Sequence, residues 1–276
     1  MRRALEYAAM FDMVVIDHCE DISLSGDGVA HEGHHAATLG LSGLPAAAEE
    51  IMVGRDITLS ALTESPVHIA HLSVRGALTA IRVGKDRGAR VSCEVTPHHL
   101  TLTDGGLAGY DTNYKMKPPL REAADVEAML QGLGDGSIDC IATDHAPHHY
   151  DEKLAEFDRA PFGIVGLETA VPICLDRLVH AGHISLSRLV ELLAVNPARI
   201  LGVRGGDLTV GRLADITVLV PELSVTVDAA AFRSLGRNTP FDGWSLQGGV
   251  AATVVGGRAV YVNDSVIGAA SFNKLS

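Results

Sequence analysis

Four short runs rich in β-branched residues punctuate the first half of the chain: MVVIDH over 13–18, VHIAH over 67–71, ARVSCEV over 89–95 and DCIATDH over 139–145. Their nearly continuous apolar character predicts strands of a parallel sheet covered on both faces. Each gives way to polar residues. Between them, apolar residues recurring at three and four predict helices over 46–63, 75–88 and 124–133, with Gly88 and Gly134 as stop signals. Two more helices are expected over 166–180 and 186–201, and MRRALEYAAMFDM reads as a helix leading into the first strand. Strand and helix in alternation predict an α/β architecture, either an open parallel sheet or a (β/α)8 barrel. After Gly202 the pattern changes to short alternating strands broken by glycine and proline, the signature of a small antiparallel module. The expected division is 1–202 for the α/β part and 203–276 for the β-rich module.

Composition narrows the function classes. The 276 residues are 47% hydrophobic and 20% charged, enough apolar content for a large core. A formal charge of −12 argues against nucleic acid or an anionic membrane surface and leaves small molecules as the expected ligands. Cys19, Cys93, Cys140 and Cys174 show no C-x-x-C spacing, so no disulfide framework or zinc ribbon is indicated, and a reducing cytoplasm is the expected setting. No apolar run reaches the roughly 18 residues of a membrane span.

The polar residues at the strand ends carry the chemistry. His18, His71 and Asp144 all fall where a parallel strand emits its loop, the edge at which barrel active sites are built. A carboxylate at the end of a buried strand is costly unless a cation compensates it. Two imidazoles and a carboxylate at one structural level suit Zn²⁺, Fe²⁺ or Mn²⁺. His31, His34 and His35 lack regular strand or helix spacing and read as loop residues. His98 and His99 in TPHH read as packing or supporting groups.

These segments resemble a known family. HCED (18–21), AAAEEIMVGRDI (46–57), VHIAHLS (67–73), EVTPHHLTLTD (94–104), YKMKPPLR (114–121), ATDHAPH (142–148), APFGIVGLET (160–169) and RNTPFDGWSLQGGVAATVVGGRAVY (237–261) look like the bacterial class I dihydroorotases, within the metal-dependent amidohydrolase superfamily. The resemblance implies a barrel enzyme with one or two Zn²⁺ ions that interconverts L-dihydroorotate and N-carbamoyl-L-aspartate in pyrimidine biosynthesis. It makes His18 and His71 ligands of one metal and Asp144 a ligand of the other that also shuttles the proton. His148 would hold the substrate carboxylate, Phe162 and Gly163 would offer backbone contacts to the ring, and the charged loop between them would act as a mobile lid. A homodimer or a complex with aspartate carbamoyltransferase would fit the family.

Two departures shape the expectation. Lys117 stands where the family usually has asparagine, so it either pairs with a substrate carboxylate or turns away. No H-x-H pair, which the family carries on its first barrel strand, occurs in the 276 residues. The expected architecture is therefore the C-terminal half of a (β/α)8 barrel plus the small β module, inactive by itself and prone to self-association through two open strand edges. Two other readings stay open: a non-catalytic dihydroorotase-like subunit beside aspartate carbamoyltransferase, and another cyclic amidohydrolase such as a hydantoinase or allantoinase.

Overall fold

The computed structural model describes residues 1–267. Its strands in chain order are β1 (Val15–Asp17), β2 (Ala30–His31), β3 (Gly43–Leu44), β4 (Val67–Ile69), β5 (Val91–Val95), β6 (Cys140–Ile141), β7 (Ile216–Thr226), β8 (Ser245–Val255) and β9 (Arg258–Val262). β1, β4, β5 and β6 form one parallel sheet in that order. Helices Ala46–Thr63, Arg75–Asp86 and Ala123–Asp135 lie between successive strands of this sheet. The result is a parallel βα array of the (β/α)8 type, followed by an antiparallel sheet of β7, β8 and β9.

One face of the parallel sheet meets the helices. Val67, Ile69, Val91, Cys93 and Val95 are buried there with Val53, Leu78, Ile81, Met129 and Leu133. Each such aliphatic side chain contributes about 1.5–3 kcal/mol by leaving water. Helices Ala46–Thr63 and Arg75–Asp86 pack closely at Gly84, where a β-carbon would come within 2.7 Å of Ile57 Cγ2. The opposite face corrects the expectation of an apolar surface on both sides. Register places Ile16 beside His68 and His68 beside Ser92, and His68 bonds Ser92 Oγ at 2.8 Å and Glu94 Oε2 at 3.1 Å. Short strands tolerate polar residues on that face because they pair with one another.

The ladders are shorter than the sequence suggests. The chain leaves the sheet through His71 at φ 36° and Asp144 at φ 44°. Left-handed backbone at non-glycine residues costs on the order of 1–3 kcal/mol and concentrates at functional sites. The third connecting helix also ends later than expected: Gly134 is helical, and the left-handed stop is Gly136 at φ 84°. The segments expected to be helices over 166–180 and 186–201 are helical from Ala170 and Leu186, each with a π-helical stretch, Leu175–His180 and Glu191–Val195.

The β module shares a core with the α/β part. Val227, Phe241 and Leu246 pack with Met116, Leu120, Ile164 and Ile173, and this contact fixes the loops that follow β6. Among the described residues, no helix is long and apolar enough to cross a membrane.

Candidate active site

His18 follows β1 directly, and His71 lies two residues beyond β4, the neighbouring strand. Adjacent parallel strands thus deliver both rings to one edge. His18 Nδ1 stands 2.8 Å from His71 Nε2, and His18 Nε2 bonds Glu20 Oε2 at 3.0 Å. His71 is 8% exposed, and its Nδ1 has no hydrogen-bond partner. Burial, followed by the neighbouring His18, pushes the His71 pKa down to about 4, so the ring is neutral near pH 7 and has a lone pair to offer.

Asp144 lies three residues beyond β6. Burial raises its pKa, Glu94 adds to the rise, and His18 opposes it. His18 is therefore near enough to influence Asp144 although the two belong to opposite ends of the four-stranded sheet. Two convergent imidazole nitrogens suit a divalent transition metal. The two imidazoles fit such an ion, whereas Asp144 does not bring a third donor atom within 4.8 Å of both.

Several supporting groups lie around this edge. Glu49 Oε1 accepts from the Ser73 amide at 2.8 Å, and Arg121 Nε donates to Ser73 Oγ at 3.0 Å, so the loop after His71 is clamped from two elements. Beyond β5, His99 bonds Thr96 Oγ1 at 2.8 Å and the Pro118 carbonyl at 3.0 Å. His98 is buried with Nε2 unpartnered. Burial first, and the adjacent imidazoles second, depress the pKa of both: well below the ordinary value for His98, to about 3 for His99. Their expected supporting role matches these positions.

The expected substrate residues occupy the loops that follow. Lys117 Nζ pairs with Glu20 Oε1 at 2.8 Å and lies 5.3 Å from the centre of the Phe162 ring. Of the two expectations for Lys117, it takes neither fully: it points into the site, but its charge is engaged by Glu20. His148 Nε2 bonds the Phe162 carbonyl at 2.8 Å. Gly163 adopts φ 152°, and a β-carbon on it would meet the Ala146 carbonyl oxygen at 2.7 Å and His148 Cδ2 at 2.8 Å. Only glycine allows that approach.

The segment expected to be a loose lid is anchored. Lys153 donates to the carbonyls of Thr112 at 2.9 Å and Pro161 at 2.8 Å, while Lys115 donates to Phe157 and Asp158 carbonyls at 2.6 and 3.1 Å. Both lysines are buried. The charge pattern of the loop suggested exposure because it hides which ammonium groups cap carbonyls.

Sequence reasoning missed four groups here. His68 and Glu94 were invisible because partner identity depends on strand register, and Glu20 because its pairing with Lys117 depends on how two distant loops meet. Asn238, from the β module, accepts from the His148 amide at 3.0 Å and donates to the Ala146 and Gly163 carbonyls, each at 2.9 Å. Its presence in the RNTPF segment was the available signal.

Among the described residues, three donor atoms come within 4.8 Å of one another in two clusters away from His18 and His71: Asp17, Cys19 and Asp56, and His31, Glu122 and Asp125. Arginines already supply their positive charge. Arg55 bonds Asp17 at 2.8 Å and Asp56 at 2.7 Å, and Arg121 Nη1 lies 3.1 Å from His31 Nδ1. His31 is thus a buried residue of β2, and His34 and His35 open the helix His34–Leu39, where a loop was expected.

A parallel βα array with histidines and an aspartate at its strand ends defines a class of hydrolase, and the chain belongs to the amidohydrolase family, whose model matches residues 1–260. It is similar to the dihydroorotase of Pelotomaculum thermopropionicum, 56% identical over 267 residues that cover 97% of this chain and 62% of that protein. The dihydroorotase of Geobacter metallireducens is 53% identical over 261 residues, 95% of this chain and 61% of that protein. The chain thus spans about three-fifths of the length of these curated relatives. Among solved structures, L-hydantoinase from Arthrobacter aurescens superposes with a TM-score of 0.85 at 28% identity, over 95% of this chain and 60% of that one. Dihydropyrimidinase from Brevibacillus agri gives 0.83 at 25% identity, over 95% and 59%.

Proposed function

We propose that this chain contributes the strand-end half of a dihydroorotase site, for the reversible hydrolysis of a cyclic amide that interconverts L-dihydroorotate and N-carbamoyl-L-aspartate. The observation that carries the reading is the approach of His18 Nδ1 and His71 Nε2 to 2.8 Å at the sheet edge that also bears Asp144. His18 and His71 would hold one Zn²⁺ ion, and Asp144 would bind a second. When bound, such ions lower the pKa of water and polarise an amide carbonyl.

The chain's own residues account for the rest. Asp144, with its affinity for a proton raised by burial, is suited to accept one from the attacking water and deliver it to the leaving ring nitrogen. By the family resemblance the backbone of Phe162 and Gly163 would meet the ring and His148 the carboxylate; substrate would have to exchange for bonds already made, since His148 Nε2 holds the Phe162 carbonyl, the Gly163 amide donates to the Lys115 carbonyl and the Gly163 carbonyl accepts from Asn238. Lys117 contributes through Glu20 instead of by a free charge. Identity of 50–56% to proteins named dihydroorotase, against 22–28% to the hydantoinases and dihydropyrimidinases, favours dihydroorotate over a hydantoin.

The test combines metal and turnover. The chain should bind Zn²⁺ in a manner lost in His18→Ala and His71→Ala variants. A chimera that joins the unaligned part of the Pelotomaculum relative to this chain in that relative's own order should open dihydroorotate in preference to hydantoin. Zinc binding indifferent to both histidines, or a preference for hydantoin, would overturn the reading.

A further inference from the structure

Glu20 is the residue on which two groups of the site, His18 and Lys117, converge. His18 Nε2 lies 3.0 Å from its Oε2, Lys117 Nζ lies 2.8 Å from its Oε1, and the Lys117 ammonium sits 5.3 Å from the centre of the Phe162 ring. The Glu20 side chain is only 13% exposed, whereas His18 is 42% exposed. The more exposed ring is therefore held by the better-packed carboxylate. Glu20, Lys117, Glu49 and Arg121 line one pocket together with His18.

We propose that Glu20, itself held by Lys117, is a positioning residue that fixes His18 in the tautomer with hydrogen on Nε2 and so presents the Nδ1 lone pair toward His71. A carboxylate has no hydrogen to give, so the short contact at His18 Nε2 requires that nitrogen to carry one. A neutral imidazole with Nε2–H leaves Nδ1 unprotonated, and Nδ1 is the atom that faces His71 Nε2. A carboxylate behind a metal-binding histidine orients the ring in the same way. Lys117 prevents Glu20 from turning into the site as a competing ligand or a negative charge facing an acidic substrate. The departure from asparagine at this position is thereby part of the His18 support.

The inference rests on the reading of His18 and His71 as a metal pair, and two measurements separate their failures. The first needs no metal: ¹⁵N chemical shifts of the His18 ring in chelator-treated protein. The Nε2–H tautomer should dominate in wild type, persist in Glu20→Gln, whose amide oxygen still accepts, and give way to a mixture in Glu20→Ala. The second is Zn²⁺ affinity by chelator competition. Glu20→Ala should weaken binding by about 10–100-fold, Glu20→Gln should restore most of it, and Lys117→Met should lose a few-fold. An unchanged tautomer in Glu20→Ala, or zinc affinity in that variant equal to wild type, overturns the proposal. A changed tautomer without any His18-dependent zinc binding supports the positioning role and overturns the metal reading instead.

Discussion

Arg121 and Glu49 form a buried ion pair, with Nη2 3.3 Å from Oε2 and both side chains 4% exposed. The pair brings the PPLR segment against the helix Ala46–Thr63, and its members also hold Ser73, two residues beyond His71. Breaking a buried pair leaves an uncompensated charge, which costs about 3–5 kcal/mol. Arg121→Met should therefore lower unfolding stability by that amount in urea titration. The double variant Arg121→Met with Glu49→Gln should recover part of it. A loss below about 1 kcal/mol would show that Glu49 finds another partner.

What could be read from the sequence follows from what each signal depends on. Strand and helix order depends on local periodicity, so VHIAH and the helix over 46–63 were found with nearly correct bounds. His18, His71 and Asp144 stand out because a polar residue at the end of an apolar run is conspicuous, and the structure brings the first two to 2.8 Å. Glu94 and His68 depend on which strands lie side by side and in what register, Glu20 on how the loop after β1 meets Lys117, and no local pattern reports either. Lys115 and Lys153 look solvated in sequence, yet their ammonium groups are buried against carbonyls. Charge alone does not distinguish a surface lysine from one that caps a loop.

The buried histidines predict a pH dependence. His71 and His99 titrate at about 4 and about 3 in the folded chain, against 6.5 for a free histidine. Between those values the unfolded chain binds more protons than the folded one, so their contribution to stability rises with pH up to about 6.5 and is lost as pH falls toward 4. Urea midpoints of chelator-treated protein should fall across that window. Replacing His99 by Gln should flatten the slope. An unchanged slope would place the acid sensitivity elsewhere.

The two lysines make the loop after β6 testable. Burial, with Lys115 nearby, lowers the Lys153 pKa to about 8. Lys153→Met removes donors to Thr112 and Pro161 carbonyls, and leaving buried carbonyls unpaired costs about 1–3 kcal/mol each. Limited proteolysis should then cut within 148–162 at least several-fold faster, while the antiparallel sheet stays protected. Equal cutting rates would show that the loop is held by Lys115 alone.

The last prediction concerns Asp144 and the ligand set. These 276 residues hold His18, His71 and Asp144 but no H-x-H pair, and Asp144 does not complete a three-atom cluster with the two imidazoles within 4.8 Å. The purified chain should accordingly bind zinc through His18 and His71 and leave dihydroorotate at the background rate of ring opening, followed by ultraviolet absorbance. In the chimera with the Pelotomaculum remainder, turnover should appear, and Asp144→Asn should reduce it by about 10²–10⁴-fold, the range for loss of a general acid-base group. The melting temperature should change little, because asparagine has nearly the same shape and removes a carboxylate that burial disfavours. Retention of a tenth of the chimera's rate by Asp144→Asn would remove Asp144 from the proton transfer, and robust zinc-dependent turnover by the chain alone would mean that its own side chains complete the site.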